Sequence, residues 1–268
     1  MMKEIVGKTK EMNSVNTLVR DFRALGLQKG MTILVHSSLS SLGWVNGGAM
    51  AVIEALIQVI TEEGTIVMPA QSGDWNEPSK WDNPPVPESW WEEIRQTMPA
   101  FDKDKTPTSG MGLIPEVFRK YPNVDRSDHP SASFVAWGKN RDYIISNHSI
   151  DFSLGEQSPL ARLYDLDAQV LFIGTGYFTN TAFHLGEYRA PGAEIVKEGA
   201  SIIENGQPVW RVYNDIEFAV GEFEEIGAIL DREYDVTKGL IGLAESRLFS
   251  IREAVDCAEK YFIQKRAK

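Results

Sequence analysis

His184 and Glu187 stand three residues apart in Asn180-Thr181-Ala182-Phe183-His184-Leu185-Gly186-Glu187-Tyr188-Arg189. On a helix that spacing makes the two side chains neighbours. A carboxylate beside an imidazole fixes the ring's tautomer and raises its basicity, which suits a general base near neutral pH. An ordinary, partly exposed His–Glu pair has the same spacing, so the residues alone leave both readings open. A second stretch with chemistry in it is His36-Ser37-Ser38-Leu39-Ser40-Ser41-Leu42-Gly43-Trp44-Val45-Asn46-Gly47-Gly48. It lies between a strand end and a helix start, where free N–H groups and the helix dipole attract anions and glycines let a phosphate approach the backbone. A serine-capped turn is the plain alternative.

Other chemistries find less support. No Gly-Lys-Ser/Thr follows the serine-rich loop, and Gly174-Thr175-Gly176 lacks the third glycine of a dinucleotide fingerprint. His36, His129, His148 and His184 are scattered. Only His184 and Glu187 have ligand-like spacing, short of the three protein ligands a catalytic zinc wants, and no metal is expected. There is no Gly-x-Ser-x-Gly elbow. Cys257, set among Ile251, Ala254, Val255, Ala258 and Phe262, reads as a passive small residue of a terminal helix. In the polar turn Arg126-Ser127-Asp128-His129-Pro130, His129 decides nothing by itself.

The elements that must position these residues follow a βαβ rhythm. Helical apolar spacing covers 14–25 and stops near Gly26; Met31–Val35 reads as a buried strand, 49–61 as a helix closed by Gly64, and Thr65–Met68 as the next strand. That order predicts a parallel sheet. A helix near 112–121, a strand over 133–137, a helix over 157–165, the strand 169–173 and a helix from 181 past 187 continue it. Asn205-Gly206 predicts a hairpin over 201–210 through a type I′ turn, and helices over 215–230 and 250–264 finish the chain. Residues 71–109 break the rhythm with prolines and Trp75, Trp81, Trp90 and Trp91. A loop this long inside a compact domain is usually functional, as a lid or substrate wall, although packing alone explains tryptophans equally well. One α/β domain over 1–268 with an added antiparallel hairpin is the simplest organisation.

Composition narrows the partners. The 268 residues are 43% hydrophobic and 24% charged, with a net charge of −11, so the chain is globular and repels phosphate backbones and anionic lipid. Neither nucleic acid nor membrane is expected, whereas a cationic ligand is drawn in. One cysteine excludes a disulfide framework. No apolar run opens Met1–Lys8 or reaches the length of a bilayer span, which reads as cytoplasmic. A homodimer is the default assembly of a soluble enzyme.

Three segments together resemble the aminoglycoside 3-N-acetyltransferase family: His36–Gly43 with Gly47-Gly48, then Arg126–Pro130 with Ser133-Phe134, then Asn180-Thr181 with His184–Ala190. Their order and spacing fit across about residues 14–262. The resemblance implies a layered α/β/α sandwich with a mixed, largely parallel central sheet and an added antiparallel hairpin. That is not the fold of the commonest acetyltransferase superfamily, whose Arg/Gln-x-x-Gly-x-Gly/Ala loop is approached only by Arg23-Ala24-Leu25-Gly26-Leu27-Gln28. It implies acetyl transfer from acetyl-CoA to an amine, classically the 3-amino group of 2-deoxystreptamine aminoglycosides. CoA would lie on His36, Ser37, Ser38, Leu39, Ser40, Ser41, Leu42, Gly43, Val45, Gly47 and Gly48, with Thr175. His184 would be the base, oriented by Glu187, and Ser37, Ser38 or Thr175 would supply oxyanion donors.

Asp74, Asp82, Asp151 and Glu156 are the carboxylates expected to wall a polycationic acceptor, with the 71–109 insertion and the 145–157 loop shaping that side. Those two loops match no particular drug-modifying subgroup, and family members acetylate other amines as well. A CoA-thioester hydrolase in which His184 activates water, a non-catalytic CoA-binding module, and more remotely a metal hydrolase are the rival readings.

Overall fold

The computed structural model describes residues 5–7, 9 and 11–267; most of Met1–Lys8, read above for a leader, lies outside them. Ser14 opens the helix Val15–Leu25 with a capping box shared with Thr17, and Gly26 closes it at φ +113°, so two end signals fix its length. Its buried stripe is Leu18, Val19, Phe22 and Leu25.

Among the described residues nine strands follow in chain order: β1 Thr32–Ser37, β2 Thr65–Pro69, β3 Asp125–Arg126, β4 Phe134–Gly138, β5 Gln169–Ile173, β6 Ile195–Glu204, β7 Gln207–Ile216, β8 Thr237–Ile241 and β9 Ala244–Ser250. Seven form one sheet in the order β3-β4-β2-β1-β5-β9-β8. β1 runs parallel to β2 and β5, while β4 and β9 run antiparallel to their neighbours on both sides. Five strands therefore share one direction against two.

Alternate residues of the central strands feed two cores, as the period of two demands. Ile33, Val35, Ile66, Met68, Leu171 and Ile173 pack with the helices Val15–Leu25, Gly48–Ile60 and Leu113–Phe118. Leu34, Val67, Phe134, Val170 and Phe172 pack with Pro159–Asp165, Ala182–Arg189, Phe223–Glu233 and Ile251–Arg266 on the other face. The result is the three-layered α/β/α arrangement expected.

β6 and β7 make the separate hairpin, turning at Asn205 and Gly206 with φ of +51° and +78°, the two positive angles of a type I′ turn. The ladder is longer than its 201–210 nucleus, running from Glu204↔Gln207 back to Ile195↔Ile216. The expected helix over 215–230 is corrected accordingly: 215 and 216 still pair with β6, and the helix starts at Phe223.

Residues 71–109 carry 3₁₀ turns at Pro78–Lys80 and Glu88–Trp90 and a helix at Trp91–Thr97. Trp75 Nε1 donates to the Pro99 carbonyl at 2.9 Å. Glu77 holds Arg95 at 2.5 Å, and Lys80 reaches across to Glu198 of β6 at 2.5 Å. The segment is thereby tied to itself and to the hairpin. Among the described residues no helix is long and apolar enough to cross a membrane.

Candidate active site

β1, β2 and β5 all end on one edge. The helix after β1 packs on one face of the sheet, and the helix Pro159–Asp165 that leads into β5 packs on the other. A crevice opens where connections part in this way. After β1 the chain doubles back: Ser38 N–H donates to Ile173 O at 2.8 Å, and Ser41 Oγ donates to Ser38 Oγ at 2.9 Å and to Gly174 O at 3.2 Å. Gly174 has φ +65°, and a Cβ there would sit 2.4 Å from Ser41 Cβ. Only glycine lets the serine turn seat on the end of β5.

A cavity of about 980 Å³ occupies this edge. Of the residues expected to bind CoA, His36, Ser37, Ser38, Leu39, Ser40, Gly43, Val45, Gly48 and Thr175 line it, and so does His184. Ser41, Leu42 and Gly47 do not line it; Ser41 braces the turn through the hydrogen bonds above, Leu42 is buried, and Gly47 is exposed. The serine turn and the histidine, far apart along the chain, thus share one chamber.

His184 Nδ1 lies 3.1 Å from Glu187 Oε2. Facing a carboxylate, Nδ1 carries the proton, which leaves Nε2 as the basic nitrogen. Glu187 is fully buried, and its other oxygen accepts the Ala219 N–H at 2.9 Å. Phe218 and Phe223 pack on the imidazole with ring centroids 4.3 and 4.8 Å away, so hydrogen bond and packing fix the ring together.

Gly186, between the pair, lies against the helix Ile251–Arg266 so closely that a Cβ would meet Val255 O at 2.4 Å and Glu259 N at 2.7 Å. Both are backbone atoms and cannot swing aside. Gly186→Ala is expected to cost about 1–3 kcal/mol by overpacking, read as a lower midpoint in urea; an unchanged midpoint would contradict this packing.

The remaining histidines are neutral parts of the frame. Burial pushes the His36 imidazole down from 6.5 to about 3 and His148 from 6.5 to about 4, and holds His129 well below its ordinary value. His129 Nδ1 accepts the Ser131 and Ala132 N–H groups, and its Nε2–H donates to Ile150 O. His148 bridges Ser127 Oγ and Ser153 O at 2.9 and 2.6 Å. The central motif is therefore engaged in bracing neighbouring loops.

These depressed values carry a stability consequence. The unfolded chain binds protons from about pH 6.5 downward while the native one does not, so stability is lost as pH falls toward about 4. Each such histidine contributes a slope of up to about 1.4 kcal/mol per pH unit. Melting temperature is expected to drop steeply between about pH 6 and pH 4; a flat profile there would exclude neutral buried rings.

Asp74, Asp82, Asp151 and Glu156 do not line the cavity, and among the described residues no Asp, Glu, Lys or Arg does. Asp151 accepts the Asn214 N–H at 2.8 Å, Glu156 pairs with Arg189 at 2.7 Å, and Asp74 and Asp82 are exposed on the 71–109 segment. Of the 71–109 insertion expected to shape the acceptor side, Gln71 lines the cavity; Gly110-Met111-Gly112, Phe178 and Val220 line it as well and were not expected. Two glycines flanking Met111 just before a helix were the available signal. Cys257 is buried, its thiol pushed up to about 11 by burial, which suits packing and not nucleophilic attack. Among the described residues no three His, Cys, Asp or Glu side chains converge as a metal site.

Residues 34–263 match the family described as aminoglycoside 3-N-acetyltransferase. The chain belongs to that family. It is 53% identical over 268 residues to the SPbeta prophage-derived aminoglycoside N(3′)-acetyltransferase-like protein YokD of Bacillus subtilis (strain 168), covering 100% of this chain and 98% of YokD. The crystal structure of YokD superposes with a TM-score of 0.97 at 52% identity, with 99% of each chain covered. Aminoglycoside N(3)-acetyltransferase VII of Streptomyces paromomycinus is 34% identical over 255 residues, 89% of this chain and 88% of that one. AAC-IIIb in a binary complex with CoASH has a TM-score of 0.84 at 27% identity, covering 95% of this chain and 98% of that one. Membership joins the three segments singled out in the sequence to one family fold.

Proposed function

We propose that this chain transfers an acetyl group from acetyl-CoA to an amine of a polycationic acceptor, of the 2-deoxystreptamine aminoglycoside class at its 3-amino group, with His184 as general base. The observation that carries this reading is the His184–Glu187 pair in the wall of the chamber that the serine turn also lines. The CoASH complex of AAC-IIIb supports the donor, and the names of the relatives support the acceptor class.

The acceptor ammonium first gives one proton to solvent. The neutral nitrogen then adds to the thioester carbon as His184 Nε2 takes its second proton. The C–S bond breaks, and the imidazolium returns that proton to the CoA sulfur. Ser37 Oγ and Thr175 Oγ1 are buried without a partner among the described residues, which makes them the preferred donors to the oxyanion. No acetyl-enzyme forms. The pantetheine arm suits a chamber lined by no Asp, Glu, Lys or Arg among the described residues, and the acceptor's charge is met outside it. The net charge of −11 draws a polycation toward the protein.

Mass spectrometry of an amine panel, aminoglycosides included, incubated with acetyl-CoA and the protein tests this. An acetylated amine is expected. CoA release independent of amine would instead mark a thioester hydrolase, and tight CoA binding without any product a binding module.

A further inference from the structure

The buried carboxylate of Glu187 has a cationic neighbour on another element. Arg266, the last residue of the helix Ile251–Arg266, donates through Nη1 to the carbonyls of Glu187 at 3.0 Å and Ala190 at 2.9 Å, and its Nη2 lies 3.5 Å from Glu187 Oε1. The guanidinium sits over the Phe262 ring at 4.9 Å. We propose that Arg266 is a positioning residue for acetyl transfer, the third member of an Arg266–Glu187–His184 relay. This rests on the reading of His184 as base.

A carboxylate with no exposure is costly unless it is paired and hydrogen-bonded. Glu187 Oε2 is committed to His184 and Oε1 to the Ala219 N–H, neither of which brings a fixed positive charge. Arg266 supplies it. Its planar fork also caps the last carbonyls of the helix that carries both members of the pair, where a cation is favoured. The same side chain thus sets the end of the helix and the charge beside the carboxylate. Gly186 permits the contact, because without a Cβ the two helices approach closely enough for the fork to span them.

The test compares R266M with R266K, assayed with acetyl-CoA and the best amine of the panel. R266M is expected to lose about 10- to 100-fold in kcat, the scale of a misplaced catalytic group, with the acetyl-CoA Kd little changed. R266K restores the charge without the fork and is expected to recover most of that loss. Wild-type kcat in R266M, or equal loss in both variants, overturns the proposal. Should R266M fail to fold, E187Q/R266M removes the carboxylate's charge along with its partner and is expected to fold better than R266M; no difference between them also overturns it. That folding comparison needs no turnover, so it stands apart from the base assignment, which fails separately if H184A turns over normally.

Discussion

His184→Ala is expected to bind acetyl-CoA with unchanged affinity and to transfer the acetyl group about 10²- to 10⁴-fold more slowly, the magnitude of losing a positioned general base. The unchanged affinity follows from where the residue stands. The serine turn, with its own hydrogen bonds to Ile173 and Gly174, does not depend on the imidazole. The alanine leaves Glu187 held by Ala219 and Arg266, so the helix keeps its seat. Titration calorimetry with acetyl-CoA and a steady-state assay separate the two effects. Equal losses in binding and turnover would mean that the ring serves the cavity's shape and not the proton.

The second large effect is on stability. Arg126 is buried, and its hydrogen bonds go to neutral oxygens. It donates to Thr106 O at 2.6 Å, Ala70 O at 2.5 Å, Ser72 Oγ at 2.8 Å and Ser133 Oγ at 2.8 Å, and its guanidinium faces the Phe101 ring at 5.0 Å. Burial lowers its pKa to about 10, still far above neutrality. One side chain therefore stitches the end of β2, the 101–107 stretch and the start of β4. Arg126→Ala strands those acceptors and opens a void. A loss of about 3 kcal/mol is expected from unmade buried hydrogen bonds, which lowers Tm by roughly 6–12 °C in a chain of this size. The cavity wall at Pro69, Gln71 and Gly110–Gly112 hangs on the same stretch, so the KM for acetyl-CoA is expected to rise as well. A thermal melt within about 1–2 °C of wild type would contradict this role.

Much of the sheet was legible because its centre is buried on both faces. β1, β2 and β5 read as unbroken apolar runs, and Ser14 and Gly26 mark their helix at both ends. The outer strands carry no such signal. Thr237–Ile241 has four exposed residues out of five, and Ala244–Ser250 mixes Glu245 and Arg247 with apolar neighbours. Pairing with β5, not local preference, makes the second of these a strand. The 215–230 region misleads for a related reason: Asp215 and Ile216 have helical companions in sequence but β6 partners in space.

At the site, the local signals were the two loops and the His184–Glu187 spacing. Ala219 and Arg266 reach the pair only through tertiary folding, from 32 and 79 positions beyond Glu187, and Phe218 arrives with them. No periodicity announces them. The acidic residues expected at the acceptor side rest on charge alone, and charge alone does not say which way a loop turns.

The most direct test of the central claim is a single-turnover quench in which enzyme is mixed with acetyl-CoA and the acceptor amine, with CoA, acetylated amine and the intact protein followed together by mass spectrometry. The account expects free CoA and acetylated amine to appear one for one, with no acetyl group on the protein at any time, and both to form about 10²- to 10⁴-fold more slowly in H184A. Accumulation of an acetylated protein, or CoA released without acetylated amine, would contradict direct transfer to an amine by this histidine.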